Sequence, residues 1–449
     1  MALCGEVAPV KAAEQLLPLV EALLNGPAPF AIRCWDGSEA GPAGAAEAAA
    51  EVKATLVFRN RRALRRIAWR PDEMGIARAY VAGDLEIEGD IYAVLDMEDV
   101  VERLSTNDGL TLTTRQKLSA VATAARLGAL GPPPPLPPEE VTQRRGRKHS
   151  RQRDADAISH HYDAGNDFYR LVLGPSLVYS CAYFRQPPGP EYGLDQAQHD
   201  KLDLVCRKLD LRPGQRLLDV GCGWGSLLLH AAQEYGVHAV GVTISEEQAE
   251  LGRMRIAEAG LTERVEIRVQ DYREVTGGPY DAIASVGMSE HVGAERIVEY
   301  ARGLHDLLPP GGRLLNHAIA SIRPLVAEEE ARSSFIDRYV FPDGELLPLS
   351  TTVSALEHAG FEVRDVENLR EHYGLTLRGW VENLQRSWPQ AVELVSPARA
   401  RIWVLYMAGS VLGFELGQIS VNQVLAVKQG PRGASGLPLT REGWLTPAR

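Results

Sequence analysis

An acid and three glycines at the end of a short apolar run are the first residues whose types and spacing suggest chemistry. The segment Arg216–Gly225 reads RLLDVGCGWG, and Asp219 lies within it. The glycines follow at alternate positions: Gly221, Gly223 and Gly225. Apolar residues at helical spacing come next, so the pattern predicts a buried strand, a tight turn and a helix start. Glycine lets a ligand approach the backbone closely, and a carboxylate suits the ammonium of an amino-acid head group better than a pyrophosphate.

The glycine spacing distinguishes this loop from a dinucleotide-binding loop. A dinucleotide fold has G-x-G-x-x-G before its helix, whereas this loop is G-C-G-W-G. The loop and the acid before it resemble the first motif of class I S-adenosylmethionine (SAM)-dependent methyltransferases. A nicotinamide dinucleotide site and a purely structural glycine turn are the alternatives at this point.

The ends of the next two predicted strands supply further candidates for the same ligand. Many enzymes of this class place an acid at the end of strand two for the ribose hydroxyls, but GVTISEEQ has none at the strand tip. Thr243 and Gln248 are the expected replacements, with Glu246 as the alternative. After strand three, Asp271 offers a carboxylate to the adenine amine and Tyr272 an aromatic side.

Three further candidates have ordinary interpretations when each is taken alone. Cys181 stands among apolar residues, where a cysteine is usually a small buried hydrophobe. Glu290 and His291 form a pair at a predicted helix start. His317 falls on a predicted strand, where a histidine is often a hydrogen-bonded core residue. None of these residues alone separates catalysis from structure.

Seven motifs in a fixed order make a family resemblance specific. The chain contains, in this order, YSCAYF, LLDVGCGWG, GVTISEEQ, GMSEHVG, NHAI, FIDRYVFPDGELLPLS and HYGLTLRGW. They resemble the cyclopropane-fatty-acyl-phospholipid synthase family. That family includes mycolic acid cyclopropane synthases and actinobacterial methyltransferases that make 10-methylene acyl chains, the precursors of tuberculostearic acid. The resemblance covers residues 158–428, and ARAYVAGDLEIEGDIYAVL near the N-terminus resembles the extra domain of the phospholipid-acting members.

The resemblance implies methylation by SAM of the cis double bond of an unsaturated acyl chain in a membrane phospholipid. It also implies a carbocation held away from water and a bound bicarbonate that removes a proton. The bicarbonate ligands carry over onto Cys181, Glu290, His317, Ile319 (through its backbone) and Tyr373. The cofactor residues Tyr162, Tyr179 and Ser180 carry over as well.

The resemblance also implies aromatic rings around the cation, and this chain differs from the family pattern at one position. The rings expected to stabilise cationic charge belong to Tyr162, Phe184 and Tyr339. The family usually has an aromatic residue before the Glu–His pair, and this chain has Ser289. That difference puts the shape of the acyl channel in doubt.

Two products follow from the same cation. Proton loss with ring closure gives a cyclopropane, and a hydride shift followed by proton loss gives a 10-methylene chain. The proline-rich linker and the closing stretch VNQVLAVKQGPRGASGLPLTREGW resemble the 10-methylene branch, so that product and a partner reductase are expected. Rival functions are methylation of a small soluble substrate and a catalytically silent lipid-binding protein. The chemical residues argue against the silent protein, because all of them are present: Asp219, Glu290, His317 and Tyr373.

The elements that must position these residues alternate between strand and helix. Strands are predicted at 216–220, 239–243, 265–270, 280–286, 313–320, 361–366 and 420–427. The predicted fold class is therefore α/β, a Rossmann-like seven-stranded sheet of the class I SAM methyltransferases, with the last strand at or near an antiparallel edge.

The predicted domain organisation places this sheet in the second half of the chain. A small α+β domain for lipid handling or dimerisation spans 1–130. A linker containing GPPPPLPP and a basic run spans 131–157. The catalytic domain spans 158–449, with a cap over the acyl site near 321–350.

Composition narrows the partners and the compartment. The net charge of −11 disfavours nucleic acid, and the five cysteines lack metal spacing, which argues against zinc and for a reducing cytoplasm. No signal peptide is predicted, and the apolar segment 403–414 is too short to span a bilayer. Arg144–Arg153 holds six basic residues, so either a solvated linker tail or attraction to an anionic membrane surface is expected. The expectation is a cytoplasmic enzyme, peripheral on the inner face of the membrane, and a homodimer.

Overall fold

A computed structural model describes residues 11–24, 26–41, 52–95, 114–141, 164–322, 334–342 and 344–442. Three sequence-based predictions lie outside these residues: Tyr162, the basic run Arg144–Arg153 and the middle of the cap at 323–333. No helix in the described ranges is long and apolar enough to cross a bilayer. The chain divides into two compact units. One contains Met1–Thr142, Ala331–Val340 and Ser396–Gly409, and the other contains Gln143–Glu330, Phe341–Val395 and Ser410–Arg449.

The element bounds follow in chain order. The described helices are α1 (Ala12–Leu24), α2 (Arg61–Trp69), α3 (Glu73–Val81), α4 (Tyr92–Leu95), α5 (Thr114–Arg126), α6 (Asn166–Leu173), α7 (Leu194–Leu209), α8 (Ser226–Tyr235), α9 (Glu246–Glu258), α10 (Ile297–Asp306), α11 (Phe335–Tyr339), α12 (Leu349–His358), α13 (Arg370–Arg386), α14 (Trp388–Val395) and α15 (Pro397–Glu415). The described strands are β1 (Ala31–Cys34), β2 (Glu39–Ala40), β3 (Ala54–Phe58), β4 (Leu85–Gly89), β5 (Arg216–Val220), β6 (His238–Thr243), β7 (Val265–Val269), β8 (Ala282–Val286), β9 (Arg313–Ser321), β10 (Glu362–Asn368) and β11 (Ile419–Val427).

The first unit is a small α+β structure around a four-stranded sheet of order β2-β1-β3-β4. Polar caps start its middle helices. Asn60 caps α2, and its side chain accepts a hydrogen bond from the backbone amide of Arg62. Asp72 caps α3, and its side chain accepts one from the backbone amide of Gly75. The apolar core includes Phe30, Ile32, Phe58 and Leu85, all nearly inaccessible to solvent.

The proline-rich segment makes hydrogen bonds to α2 within this unit. Arg66 Nη1 donates to the carbonyl of Pro135 at 2.7 Å, and Trp69 Nε1 donates to the carbonyl of Gly131 at 2.8 Å. The carbonyls of a proline run have no partners of their own, so these donors fix the segment along the helix. The start of the predicted linker therefore contacts the N-terminal unit, while the functional division into domains stays a prediction.

The second unit contains the predicted seven-stranded sheet, of order β10-β11-β9-β8-β5-β6-β7. Strands β9, β8, β5, β6 and β7 run parallel, whereas β11 is antiparallel to both β9 and β10. The α/β fold class with a small N-terminal region is thus confirmed. The last strand, expected at or near an edge, is one position in from it, because β10 takes the edge.

Successive residues of the central strands enter two different apolar clusters. Leu217 packs in one cluster and Leu218 in the other, and Ala282 and Ile283 on β8 divide in the same way. Side chains alternate between the faces of a strand, so the sheet is buried on both faces. This two-sided core holds the carboxyl ends of β5, β6, β8 and β9 along one edge, where ligands bind in open α/β sheets.

Several elements were not anticipated. Helices α2 and α13 to α15 and strand β4 went unassigned, because none of them continues the simple alternation of strand and helix.

Candidate active site

The glycine loop follows β5 as the spacing predicts. The backbone amides of Gly221 and Cys222 both donate to the carbonyl of Val242 on β6, each at 3.0 Å. All three loop glycines have positive φ, the region that L side chains rarely adopt. At Gly225 a Cβ would also lie 3.0 Å from Cδ1 of Ile267, so the helix start packs against β7 at glycine distance.

Asp219 is an acid without a hydrogen-bond partner for one of its oxygens. The residue is 3% exposed, and its Oδ1 has no partner among the described residues. Burial raises its pKa to about 7, although the nearby Lys201 opposes the rise. A buried acid with an unsatisfied oxygen, in a cavity lined also by Gly221 and Gly223, fits an ammonium ligand such as the amino group of SAM.

Lys201 was not identified from the sequence. It lies on α7 and is 2% exposed, and its Nζ donates to Oγ of Ser180 at 2.8 Å. Burial lowers the pKa of Lys201 to about 8, although electrostatic interactions with Cys181 and Asp219 act to raise it. A signal was present, because Lys201 follows Ala197 by four residues and precedes Leu204 and Val205 on the apolar stripe of the helix.

One cavity gathers most of the predicted cofactor residues. Its lining includes Tyr179, Ser180, Asp219, Gly221, Gly223, Thr243, Gln248, Asp271 and Tyr272. Lys201, His291 and Trp224 line it as well, and none of them was predicted to bind the cofactor. Gly225 is not in the lining and serves as the N-cap of α8. The cavity therefore runs from the glycine loop past the ends of β6 and β7.

The ends of β6 and β7 carry polar groups already joined to neighbours. Thr243 Oγ1 donates to Oε1 of Gln248 at 2.9 Å, which holds the pair together at the tip of β6. Arg273 Nε and Nη2 donate to the two oxygens of Asp271, each at 2.8 Å. The Asp271 carboxylate thus has a guanidinium partner, a contact that the sequence pattern did not reveal.

A second group of polar residues centres on Glu290. The amide of Ile319 on β9 donates to Glu290 Oε1 at 2.8 Å, while Oε2 is buried with no partner among the described residues. Burial of the carboxyl raises its pKa to about 7, and the Ile319 hydrogen bond partly opposes this. A carboxyl in this state exchanges its proton near neutral pH.

His317 lies two residues before Ile319 on the same strand and is 2% exposed. Its Nδ1 lies 3.3 Å from Nε2 of Gln423 on β11, and its Nε2 is buried without a partner among the described residues. Burial lowers its pKa to about 3, and the charges of Lys201 and Lys208 act in the same direction. The imidazole is therefore neutral at physiological pH, and with Gln423 donating to Nδ1 the ring proton is on Nε2.

A series of backbone contacts brings Cys181 and Tyr373 to the same region. Cys181 Sγ lies 3.6 Å from the carbonyl of Leu369, which also accepts from the amide of Tyr373 at 3.1 Å. The amide of Leu369 in turn donates to Val421 at 2.8 Å, and Val421 pairs with Ile319 across β11 and β9. Burial raises the pKa of the Cys181 thiol far above its ordinary value, so it is a neutral thiol and not a thiolate nucleophile.

The cofactor cavity and this group share neighbouring residues. Ser180 lines the cavity and precedes Cys181, and His291 lines it next to Glu290. The amide of Gly287, also in the lining, donates to the carbonyl of His317 at 2.8 Å. The cavity lining is thus adjacent in the chain to Cys181 and Glu290, and Gly287 joins it by a hydrogen bond to the backbone of His317.

The predicted aromatic faces lie in different surroundings. Phe184 packs against Tyr192 and His372, with ring centroids 6.4 Å from each. The hydroxyl of Tyr339 donates to Glu140 within the first unit. Ser289, the departure from the family pattern, is 4% exposed.

Comparisons with known proteins give the same assignment along most of the chain. Residues 149–424 match the family model described as mycolic acid cyclopropane synthetase. A "probable fatty acid methyltransferase" of Mycobacterium tuberculosis is 39% identical over 424 residues, 94% of this chain and 96% of the relative. A "tuberculostearic acid methyltransferase" of the same organism is 36% identical over 290 residues, 63% of this chain and 67% of the relative. The crystal structure of a mycolic acid cyclopropane synthase complexed with SAH and CTAB is 34% identical, with a TM-score of 0.57 over 61% of this chain and 98% of that one.

Proposed function

Because the chain belongs to the mycolic acid cyclopropane synthetase family and is a SAM-dependent methyltransferase, we propose that it methylates the cis double bond of an unsaturated phospholipid acyl chain. The product we propose is a 10-methylene chain, the precursor of tuberculostearic acid. The relatives named as fatty acid and tuberculostearic acid methyltransferases support a lipid substrate.

The observation that carries the proposal is two buried polar atoms near the cofactor cavity that have no hydrogen-bond partner among the residues described. These are Oε2 of Glu290 and Nε2 of His317. Carbon methylation of an alkene must end in proton loss from a carbon, so it needs proton-handling groups that water does not reach. A methyltransferase acting on an exposed hydroxyl or amine has less need for such a buried group.

SAM supplies an electrophilic methyl group on a sulfonium sulfur when bound. In this proposal Asp219 binds the ammonium, and Thr243 with Gln248 binds the ribose hydroxyls. Tyr179 lies against Tyr169 and Trp380, with ring centroids 5.7 and 5.4 Å away, which walls the site with aromatic rings. These contacts fix the position of the Tyr179 ring in the cavity wall.

Bicarbonate fits the second group, and when bound it would supply a proton acceptor. An anion next to Glu290 is favoured only if that carboxyl is protonated, and a pKa raised to about 7 keeps the protonated form accessible near neutral pH. The neutral His317 imidazole then offers a donor at Nε2. Tyr373 and Cys181 complete the proposed ligand set with Ile319, whose amide positions Glu290.

A second candidate product is the cyclopropane. The matching family model and the 34% identical cyclopropane synthase structure favour it, and the same residues serve both outcomes. We place the 10-methylene product first because the closing stretch of the chain resembles that branch. A partner reductase would then convert the methylene to a methyl branch.

The remaining parts of the proposal concern location and assembly. We propose a peripheral enzyme on the cytoplasmic face of the membrane, attracted by the basic run Arg144–Arg153, and a homodimer. The N-terminal unit serves lipid handling or dimerisation in this account. Vesicle binding that falls with added salt would support the electrostatic attachment.

The test is incubation with methyl-labelled SAM and dioleoyl phospholipid vesicles, followed by mass spectrometry of the acyl methyl esters. The proposal predicts label in the acyl chain, and NMR then separates an exocyclic methylene from a ring. Label confined to a soluble acceptor or to the head group would reject the lipid C-methylation.

A further inference from the structure

We propose that Lys201 binds the carboxylate of SAM while Asp219 binds its ammonium, so that the cavity recognises the amino-acid head group as a zwitterion. This deepens the cofactor site and rests on SAM as the cofactor, not on the identity of the lipid product. The family motif around the glycine loop points to Asp219 alone, and the structure adds Lys201 to the same cavity.

The geometry places the two charges in one cavity without pairing them directly. Lys201 and Asp219 both line it, together with the loop residues Gly221 and Gly223. Within the described ranges no carboxylate lies within ion-pair distance of Lys201, whose recorded acceptor is the hydroxyl of Ser180. Asp219 likewise keeps Oδ1 without a partner. A buried acid and a buried base that share a cavity but do not touch are complementary to a ligand carrying both charges.

The other groups near Lys201 do not provide its counter-ion. The titratable groups that influence it are Cys181, Asp219 and Cys206. Burial raises the pKa of both thiols, so they remain neutral. An ammonium has three donors, and a buried one with a single neutral acceptor is poorly compensated. A ligand carboxylate would satisfy the remaining donors with charge-assisted hydrogen bonds.

Lys208 shows what a structural buried lysine looks like in the same helix. It is also 2% exposed, but its Nζ forms ion pairs with Glu367 and Asp365 on β10. It is absent from the cavity lining. The two lysines thus differ in their acceptors and not in their burial, which makes Lys208 a matched control.

Ser180 has a defined part in this arrangement. It lines the cavity, and its hydroxyl accepts from Lys201, while Gln198 Nε2 donates to its backbone carbonyl at 2.9 Å. These bonds fix the direction of the Lys201 ammonium before the ligand arrives. Such preorganisation reduces the entropy lost on binding.

The experiment compares SAM with decarboxylated SAM, which lacks only the carboxylate, by titration calorimetry on the full chain. Wild type should bind SAM about ten- to a hundredfold more tightly, as expected for hydrogen bonds to a charged group. Lys201→Met should weaken SAM binding by a similar factor and leave the affinity for decarboxylated SAM within about twofold. Lys208→Met should keep the wild-type ratio of the affinities for SAM and decarboxylated SAM, even if the substitution lowers the stability of the protein.

Two results would overturn the assignment. The first is equal affinity of the wild-type protein for the two ligands, which needs no variant and so holds even if Lys201→Met does not fold. The second is an equal loss of both affinities in Lys201→Met, which would mark a structural lysine. Failure of the lipid reaction would not change the ratio of SAM to decarboxylated-SAM affinity in the wild type or in Lys201→Met. The two proposals can therefore fail separately.

Discussion

Ile319 and Glu290 are joined by a hydrogen bond from the backbone amide of one to Oε1 of the other, 2.8 Å long. The bond links β9 to the short helix that follows β8, between residues 29 positions apart in the chain. It fixes the orientation of the carboxyl and leaves Oε2 buried, with no hydrogen-bond partner in the part of the chain that the structure describes. Glu290 is therefore held in place by the sheet, and its second oxygen is available for a ligand.

Glu290→Gln keeps the shape of this side chain and removes its ionisation. We expect turnover to fall by at least about a hundredfold, because general acid–base groups contribute that much or more. SAM affinity measured by calorimetry should change little, since Glu290 does not line the cofactor cavity. Glu299→Gln, on the exposed side of α10, is the control and should keep full turnover. Loss of SAM binding in the Glu290 variant would contradict its assigned role.

Binding of SAM should release protons near neutral pH. The pKa of Asp219 is about 7 in the free protein, and a bound ammonium favours its ionised form. Affinity should therefore rise as the pH increases through about 7, until deprotonation of Lys201 opposes it. Calorimetry at about pH 7 in two buffers of different ionisation enthalpy should show a release of up to about half a proton, which Asp219→Asn abolishes. Identical heats in the two buffers would count against an ammonium partner at Asp219.

His317 should make the fold acid-sensitive. Its pKa is lowered from 6.5 to about 3, so the unfolded chain binds a proton that the folded chain does not. Its contribution to stability is complete above pH 6.5 and is lost as the pH falls toward 3. Between about pH 7 and pH 5 the wild-type unfolding free energy should fall by about 2 kcal/mol more than that of His317→Gln.

Urea denaturation at the two pH values measures this difference. His238→Gln, at an exposed position on β6, serves as the control and should follow the wild type. An equal pH dependence in the wild type and in His317→Gln would mean that His317 is not buried in its neutral form.

Alanine should destabilise the protein less at Gly223 than at Gly225. Gly223 has φ of +53° and open space where a Cβ would go, whereas Gly225 has φ of +78° and Ile267 at 3.0 Å. Gly223→Ala should destabilise the protein by about 1 kcal/mol through backbone strain alone. Gly225→Ala should lower the free energy of unfolding by about a further 1 kcal/mol or more, because Ile267 must move as well. Thermal unfolding without ligand checks the order, and equal losses would show that β7 does not pack against the loop.

Local patterns determine how much of this structure the sequence reveals. The predicted strand end at Val220 and helix start at Ser226 are confirmed, because an apolar run and a glycine turn are encoded in neighbouring residues. By contrast, α2 is amphipathic and rich in arginine, but the sequence analysis does not predict it because it does not continue the alternation of strand and helix.

Contacts between distant residues explain what the sequence could not reveal. The pairing of Arg273 with Asp271 and the hydrogen bond of Lys201 to Ser180 depend on side-chain placement in the folded protein. The same holds for the contacts between Cys181, Leu369 and Val421 that connect the candidate residues. The individual roles of Cys181, Glu290, His317, Ile319 and Tyr373 stay predictions, and Glu290→Gln tests the role of Glu290.

The most direct measurement uses SAM with a trideuterated methyl group, vesicles of dioleoyl phosphatidylglycerol and mass spectrometry of the released acyl chains. Methylation of the double bond followed by proton loss from the new carbon, by either route, leaves two of the three deuterium atoms in the acyl chain. That result, absent in Glu290→Gln, is what we predict. Retention of all three deuterium atoms, or label in the head group with none in the acyl chain, would contradict the proposed reaction.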